Sequence, residues 1–147
     1  MEPALQRWVE ETALLFEGAG LPRMAGRVLA WLLVAEPGEP TAKEIGEALA
    51  ASKGALSPAL RLLVRLHLVE RLRRPGERAD RYAVRLGAWR RLLLEKVRTL
   101  SLYREQAEKG LALVGEVRGE RLREMRDLYA FFERELPKLL ERFPEEA

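Results

Sequence analysis

The chain has 147 residues, of which 48% are hydrophobic and 33% are charged, with no cysteine and one histidine, His67. This length suits a single domain with one hydrophobic core. Without cysteine there is no disulfide framework, thiol nucleophile or iron–sulfur cluster. One histidine cannot supply the clustered ligands of a zinc site or a convincing catalytic triad. We therefore expect neither an enzyme nor a protein that holds a metal or organic cofactor.

The sequence has no feature that predicts membrane insertion or export. Its longest nearly uncharged apolar run, residues 28–35, is far shorter than the roughly 18 residues that a transmembrane helix needs. The N-terminus lacks the basic and apolar regions of a signal peptide. We expect a soluble, cytoplasmic protein with no membrane partner. Arginine outnumbers lysine by 21 to 5 and asparagine is absent, a thermophile-like composition that a compositional bias of the genome would also produce.

The net charge of +3 hides an uneven distribution along the chain. Residues 1–51 carry a net charge of −4, residues 52–98 a net charge of +9, and residues 99–147 a net charge of −2. A concentrated basic segment between mildly acidic ones is typical of a protein that binds a polyanion. A solvated basic face has the same charge, so the arrangement of the basic residues has to decide between the two.

The first half of the chain predicts three helices. Apolar residues at helical spacing predict a first helix over residues 2–17, which a glycine-containing turn ends. Pro22 fits the first turn of a second helix. Thr41 and Glu44 then form a capping box, which opens a short third helix because the threonine and the glutamate satisfy each other's backbone N–H groups.

A fourth helix follows the third after a tight turn. Ser52 is its predicted N-cap, and the helix ends near His67, which we interpret as a helix-end residue that interacts with the dipole. Two short helices joined in this way are typical of a helix-turn-helix. Pro58 lies inside the fourth helix, where it removes a hydrogen bond and can kink the helix. A start at Ser57, with Pro58 in the first turn, is stereochemically cleaner, but Ser52 keeps the helix-turn-helix spacing.

After the fourth helix the apolar period changes from 3.6 to 2. Residues 68–74 and 81–86 alternate as strands do, and residues 75–80 have the turn chemistry of a hairpin loop. A helix-turn-helix followed at once by a basic hairpin is a winged helix. The predicted fold is therefore mainly α with a small β-hairpin wing.

The C-terminal part predicts two long helices, over residues 88–114 and 120–136, with a break between Gly115 and Gly119. The second is expected to stop at Leu136-Pro137. Their apolar faces are larger than a small winged lobe can cover. We therefore expect a single domain in which residues 20–87 form a winged lobe, while residues 1–19 and 88–147 form a helical dimerisation region.

Six stretches of the chain, in this order, resemble MarR-type winged-helix transcriptional regulators, most closely a GbsR-like subgroup of small bacterial repressors. The resemblance covers about residues 5–143 and implies a homodimer with two DNA-reading lobes. Its carrying stretches are Gly20-Leu-Pro-Arg-Met-Ala-Gly-Arg-Val-Leu29, Ser52-Lys-Gly-Ala-Leu-Ser57, Arg61-Leu-Leu, Leu68-Val-Glu-Arg71, Pro75-Gly-Glu-Arg78 and Glu124-Met-Arg-Asp-Leu-Tyr129. Pro58 departs from this pattern, because it falls inside the helix that the family uses to read DNA.

The fourth helix carries the predicted major-groove contacts. Four of its polar residues recur at intervals of four and therefore share one stripe opposite the leucines. They are Lys53, Ser57, Arg61 and Arg65. The N-terminal members would face base edges, and the later arginines bases or phosphates. The alternative is an ordinary solvated helix face. The predicted contacts are Ser52, Lys53, Gly54, Ser57, Arg61 and Arg65.

The wing and the third helix add further predicted contacts. Arg78 at the wing tip is expected to enter the minor groove, and Arg73, Arg74 and Arg81 are expected to contact phosphates. Protection of the strand edges by charge is the alternative explanation for these arginines. Thr41 is a candidate phosphate contact as well as a cap.

A small-molecule effector is the remaining candidate partner. The aromatic residues Trp8, Trp31, Trp89 and Tyr103 are candidates to line its pocket, although aromatics at helical spacing more often belong to a core. The leading hypothesis is a sequence-specific, dimeric DNA-binding regulator, a repressor that binds a double-stranded operator. The alternatives are a protein-interaction module whose basic face binds an acidic partner, and an architectural DNA binder without sequence preference.

Overall fold

The computed structural model describes residues 1–144, except the side chain of Glu116. The chain divides into two compact units, Met1–Ala88 and a second unit that begins at Trp89. The elements are α1 (Pro3–Gly18), α2 (Arg23–Val34), α3 (Ala42–Leu49), α4 (Lys53–Arg65), β1 (Val69–Leu72), β2 (Arg81–Val84), α5 (Ala88–Arg118) and α6 (Glu120–Glu141). β1 and β2 form an antiparallel hairpin in which Val69 lies opposite Val84. The predicted fold class, mainly helical with a hairpin wing, is confirmed.

Both predicted caps of the helix-turn-helix are present. The Glu44 N–H donates to Thr41 Oγ1 at 3.2 Å, and the Glu44 carboxylate accepts from the Thr41 backbone, which completes the capping box. Ser52 Oγ accepts from the Ala55 N–H at 3.2 Å, so α4 starts after Ser52 rather than at Pro58. The short polar side chains that favour these positions do so because they satisfy N–H groups that have no partner in the helix.

The helices α3 and α4 both end in a residue with a left-handed backbone conformation. Ala50 has φ 51° and His67 has φ 61°. After α4, the His67 N–H bonds Val64 O and the Leu68 N–H bonds Leu63 O, each at 3.0 Å, which is the Schellman arrangement. His67 therefore lies just outside the helix, and its backbone turns the chain into β1.

The core of the first unit lies between its helices and the base of the hairpin. Leu29, Ile45, Leu63 and Leu68 are essentially inaccessible to solvent. α1 adds to this core, since it buries Val9 and Ala13 and runs close enough to Gly26 that a Cβ there would lie 2.9 Å from Ala13 O. α1 thus packs within the first unit, and only its outer face remains available for the predicted dimerisation.

Arg27 ties three helices of the first unit together. Its Nε donates to Glu10 Oε1 on α1 at 2.9 Å, and its Nη2 donates to the Leu49 carbonyl at the end of α3, also at 2.9 Å. A charged donor at a helix C-terminus stabilises carbonyls that lack a helical partner. Because the Arg27 side chain is only 19% exposed, these bonds are shielded from water and help to fix α3 against α2.

The second unit consists of α5 and α6. The predicted break appears as a kink at Gly115, which has φ 79°. The predicted stop at Leu136-Pro137 is wrong, because α6 continues through Pro137 to Glu141. Arg90 stabilises the extra turn, since it donates to Leu140 O in the last turn of α6 at 2.6 Å and to Phe143 O just after the helix at 3.0 Å.

Contacts between α5 and α6 involve polar and aromatic side chains. Tyr103 stacks on Tyr129 with 4.9 Å between the ring centroids, and Ser101 Oγ donates to Glu133 at 2.6 Å. Arg104 also binds Glu133, and its hydrogen bond lowers the pKa of the Glu133 carboxyl. Within α6, every residue of which is described, none is buried. Several large apolar side chains of this unit remain exposed, namely Leu102, Leu113, Leu128, Phe131 and Phe132.

None of the helices in residues 1–144 has the length and apolar character that crossing a membrane requires.

Candidate nucleic-acid interface

One face of α4 is buried and the opposite face is open to solvent. Leu56, Ala59, Leu60 and Leu63 are buried in the core. Steps of four, three and four residues follow one side of a helix, so the line opposite these side chains is occupied by the exposed residues Gly54, Pro58, Arg61 and Arg65. We call this set the outer line of α4. Lys53 and Ser57, which the four-residue spacing placed on the same stripe, flank the outer line, and Ser57 is half-buried.

The basic side chains on and beside the outer line keep their charge available. Among the described residues, no carboxylate forms an ion pair with Lys53, Arg61 or Arg65. Arg61 Nη1 donates to Ser57 Oγ at 3.3 Å, and this bond holds the guanidinium over the preceding turn. Within the part of the chain that the structure describes, the guanidinium of Arg61 makes no other hydrogen bond, which suits a residue that binds an external polyanion.

The hydroxyl of Thr41 is already used within the protein. It accepts from the Glu44 N–H at 3.2 Å and donates to Glu44 Oε1 at 3.0 Å. A phosphate contact through this hydroxyl would break the capping box, so Thr41 acts as a cap. Ser52 differs, because its Oγ accepts only one bond, from Ala55, and its hydroxyl hydrogen remains free to donate to a phosphate.

The wing is joined to the loop before α3 through Arg81. Its Nε and Nη2 donate to the Glu77 carboxylate at 2.8 and 3.1 Å, and its Nη1 donates to the Glu39 carbonyl at 2.9 Å. The backbone is joined at the same place, because the Tyr82 N–H donates to Pro40 O at 2.9 Å and Arg81 forms a β-bridge with Thr41.

These bonds give Arg81 a structural role, which leaves fewer of its N–H donors for the expected phosphate contact. Its side chain is 16% exposed, and all three of its guanidinium nitrogens are engaged. The hydrogen bond from Arg81 lowers the pKa of the Glu77 carboxyl, and the bond to Glu77 raises the pKa of Arg81. Both groups therefore stay charged at neutral pH. Glu39 and Glu77 are not among the residues predicted from the sequence, although acidic residues beside a basic hairpin are a visible signal for such pairing.

The other wing arginines differ in how far their charge is balanced. Arg74 Nη2 lies 2.6 Å from a Glu39 oxygen, and Arg73 Nε lies 3.5 Å from Asp80 while its Nη2 donates to the carbonyl of Arg78 at 3.3 Å. The side chain of Arg78 is exposed and forms no ion pair with the described residues. Arg78 therefore has the most available charge on the wing.

The four aromatic residues proposed for an effector pocket lie in both units. Trp8 and Trp31 belong to the first unit, Trp89 and Tyr103 to the second. Trp8, Trp89 and Tyr103 are each about two-fifths exposed or more. The indole nitrogen of Trp31 is buried without a hydrogen-bond acceptor among the described residues. The pocket remains a prediction.

Comparison with known proteins decides the family. A model described as MarR family matches residues 19–79, and one described as MmpR5-like MarR family transcriptional regulator matches residues 87–146. The HTH-type transcriptional regulator MmpR5 of Mycobacterium tuberculosis (strain ATCC 25618 / H37Rv) is 37% identical over 145 residues, which is 97% of this chain and 88% of that protein. This chain belongs to the MarR family.

A solved structure agrees with the MarR assignment. The crystal structure of a transcriptional regulator, 35% identical in sequence, matches with a TM-score of 0.73 over 96% of this chain and 98% of that one. The chain is thus a DNA-binding transcriptional regulator of the MarR winged-helix family, and the exposed basic residues of α4 and the wing are its candidate DNA contacts.

The internal ion pairs of the wing predict unequal salt effects for two exposed arginines. For Arg78→Ala, the slope of log affinity for DNA against log salt concentration should become shallower by about one unit per subunit, since an unpaired guanidinium in the minor groove neutralises about one phosphate charge and releases about one counterion. For Arg74→Ala, the change in slope should be less than half as large, because Glu39 already balances the Arg74 charge. Titrations of DNA with both variants between low and moderate salt measure the two slopes. Equal changes in slope would contradict the inference that Arg78 has more charge available for DNA than Arg74.

Proposed function

We propose that the chain is a homodimeric, sequence-specific repressor that reads an operator with α4 and the wing of each subunit. The observation that carries the proposal is the unpaired basic charge of Arg61 and Arg65 on the outer line of α4. This line projects from a helix whose opposite face is buried in the core, which is how a recognition helix presents side chains to a major groove.

Arg61 is the proposed base-reading residue. A guanidinium can bond both acceptors of a guanine in the major groove, and such a contact is worth about 1–3 kcal/mol of discrimination. Its hydrogen bond to Ser57 orients the side chain before DNA arrives. Lys53 and Arg65, at either end of α4, are proposed to bind phosphates, which position a protein without identifying the base. Ser52 and Gly54, in the first turn of α4, complete the proposed contact surface.

The wing is proposed to bind beside the major-groove contact. Arg78 enters the minor groove, where narrow A·T tracts concentrate negative potential. Arg73 and Arg74 bind phosphates with the donors that their internal pairs leave free, since a guanidinium has five N–H groups. In this proposal Arg81 binds no DNA and instead holds the hairpin in place.

Dimerisation is proposed through helices at both ends of the chain. The outer face of α1 exposes Leu14 and Leu15, and the second unit exposes apolar side chains such as Leu128 and Phe132. Apolar surface of this extent is a mark of a protein interface. Two copies related by a twofold axis would present two recognition helices to the two halves of a palindromic operator.

Repression and its control complete the proposal. Occupation of an operator that overlaps a promoter excludes the transcription machinery, and binding of a small-molecule effector would release the DNA. The aromatic residues Trp8, Trp31, Trp89 and Tyr103 stay the candidate effector contacts. The GbsR-like subgroup, which the sequence motifs suggest, stays a prediction, as does the cytoplasmic location. The family models that match are described instead as MarR and MmpR5-like.

Substitution of Arg61 tests base reading directly. An operator is first selected from a random duplex pool with the purified protein. Arg61→Ala should weaken binding to this operator by about 1–3 kcal/mol and weaken binding to a scrambled duplex far less, because only the operator presents the matching guanine. Affinity titrations on both duplexes measure the difference.

Arg23→Ala is the matched control, since Arg23 is an exposed arginine at the start of α2 outside both the proposed DNA contacts and the proposed dimer interface. It should leave the ratio of the two affinities unchanged. Equal losses on both duplexes for Arg61→Ala would contradict base reading and favour an architectural DNA binder. Binding to neither duplex by the unchanged protein would favour a protein-interaction module.

Sedimentation tests the proposed dimer. The protein at micromolar concentration should sediment with twice the chain mass, and the double variant Leu15→Glu/Leu128→Glu should sediment as a monomer, because it places charges in the apolar interface. Leu86→Glu is the matched control, since Leu86 is 97% exposed and lies outside the proposed interface. A monomeric unchanged protein with native helix content would refute the proposal.

A further inference from the structure

The outer line of α4 contains a small apolar patch within a basic surface. Gly54 and Pro58 lie one turn apart on this line, and both are exposed. Arg61 follows on the next turn of the same line. Neither residue has a polar side chain, so this part of the outer line is apolar.

Neither residue of this patch serves the packing of the protein. Apart from its chain neighbours and the backbone of its own helix, no described atom lies within 4 Å of the place where a Cβ on Gly54 would be, so the interior does not require glycine there. The apolar contacts of α4 with the core are made by Leu56, Ala59, Leu60 and Leu63 on the other side.

Both residues also disfavour the helix that contains them. Proline is the least favourable residue in a helix interior, where Pro58 lies, and glycine is less favourable in a helix than other residues apart from proline, although Gly54 lies in the first turn of α4. The ring nitrogen of Pro58 has no hydrogen, so the Gly54 carbonyl lacks its usual hydrogen bond from four residues ahead. A patch that lowers helix stability and contributes no internal contact is explained if the surface itself binds something.

The major groove presents one apolar group at the base edges, the 5-methyl group of thymine. A proline ring is an apolar surface of fixed shape, suited to contact with such a methyl. The missing side chain at Gly54 lets the backbone of α4 come close to the bases. Pro58 and Arg61 are three residues apart, about 4.5 Å along the helix axis, which corresponds to one or two base pairs at about 3.4 Å each.

We propose that Pro58 is a specificity-determining residue that contacts the 5-methyl group of a thymine, with Gly54 permitting the close approach. This thymine lies one or two base pairs from the guanine read by Arg61. The inference rests on the proposed function, namely that α4 lies in the major groove of an operator. It gives a reason for the presence of a proline inside α4, which continues from Lys53 to Arg65.

Replacement of thymine by deoxyuridine removes the methyl group and leaves base pairing intact. Each thymine of the selected operator is replaced in turn, and affinities are measured for the unchanged protein and for Pro58→Ala. One thymine in each half-site should show about fourfold weaker binding by the unchanged protein when its methyl is removed, the ratio expected for one buried carbon group. Pro58→Ala should bind the thymine and deoxyuridine duplexes nearly equally at that position.

Two further variants make the result specific. Pro75→Ala changes an exposed proline in the wing loop and should retain the full effect of deoxyuridine. Gly54→Ala should weaken binding to both duplexes alike, because its Cβ holds the helix away from the bases. Thermal unfolding checks folding, and Pro58→Ala should melt at a higher temperature, since alanine restores the missing helix hydrogen bond.

The outcomes separate this inference from the proposed function. If no deoxyuridine changes the affinity of the unchanged protein, or if Pro58→Ala keeps the same deoxyuridine effect, the inference is overturned. In that case Arg61→Ala still reports whether α4 reads bases. If Arg61→Ala also leaves the operator preference unchanged, the proposed function fails as well.

Discussion

The position of the wing depends on a single arginine. Arg81 lies at the start of β2, and its guanidinium binds the Glu77 carboxylate in the wing loop and the Glu39 carbonyl before α3. At the same residue the backbone forms a bridge to Thr41, the cap of α3. The hairpin, the capping box and the helix-turn-helix are thereby joined at one point, so the wing tip is held at a defined place relative to α4.

Not every arginine of the first unit has its charge available to a phosphate, because some form ion pairs within the protein. In the wing, Arg74 and Arg81 are held by carboxylates of the same unit, whereas Arg78 has no such pair among the described residues. Each internal pair lowers the charge available to a phosphate but holds the backbone in shape. The first unit thus separates its arginines into those that fix the fold, including Arg27, and those that face outward.

The sequence predicted local features well and tertiary ones poorly. The caps Thr41 and Ser52 were predictable because each satisfies backbone groups within a few residues of itself. The end of α6 was not, because Arg90 holds its last carbonyls from 50 residues away. The structural role of Arg81 was not predictable for the same reason, since the carbonyl that it binds lies 42 residues away. The four-residue spacing of polar residues also gave no reason to consider Pro58, which the burial pattern places on the exposed side of α4.

Coupling between Arg81 and Arg78 tests most directly whether the internally bound Arg81 positions Arg78, the wing arginine proposed to bind DNA. Operator affinity is measured for Arg78→Ala and Arg81→Ala, singly and together, with unfolding curves as the check on folding. If Arg81 holds the wing in its binding position, Arg78→Ala will cost at least about 0.5 kcal/mol less affinity in the Arg81→Ala background than in the unchanged protein. Losses that add within about 0.3 kcal/mol would contradict the account.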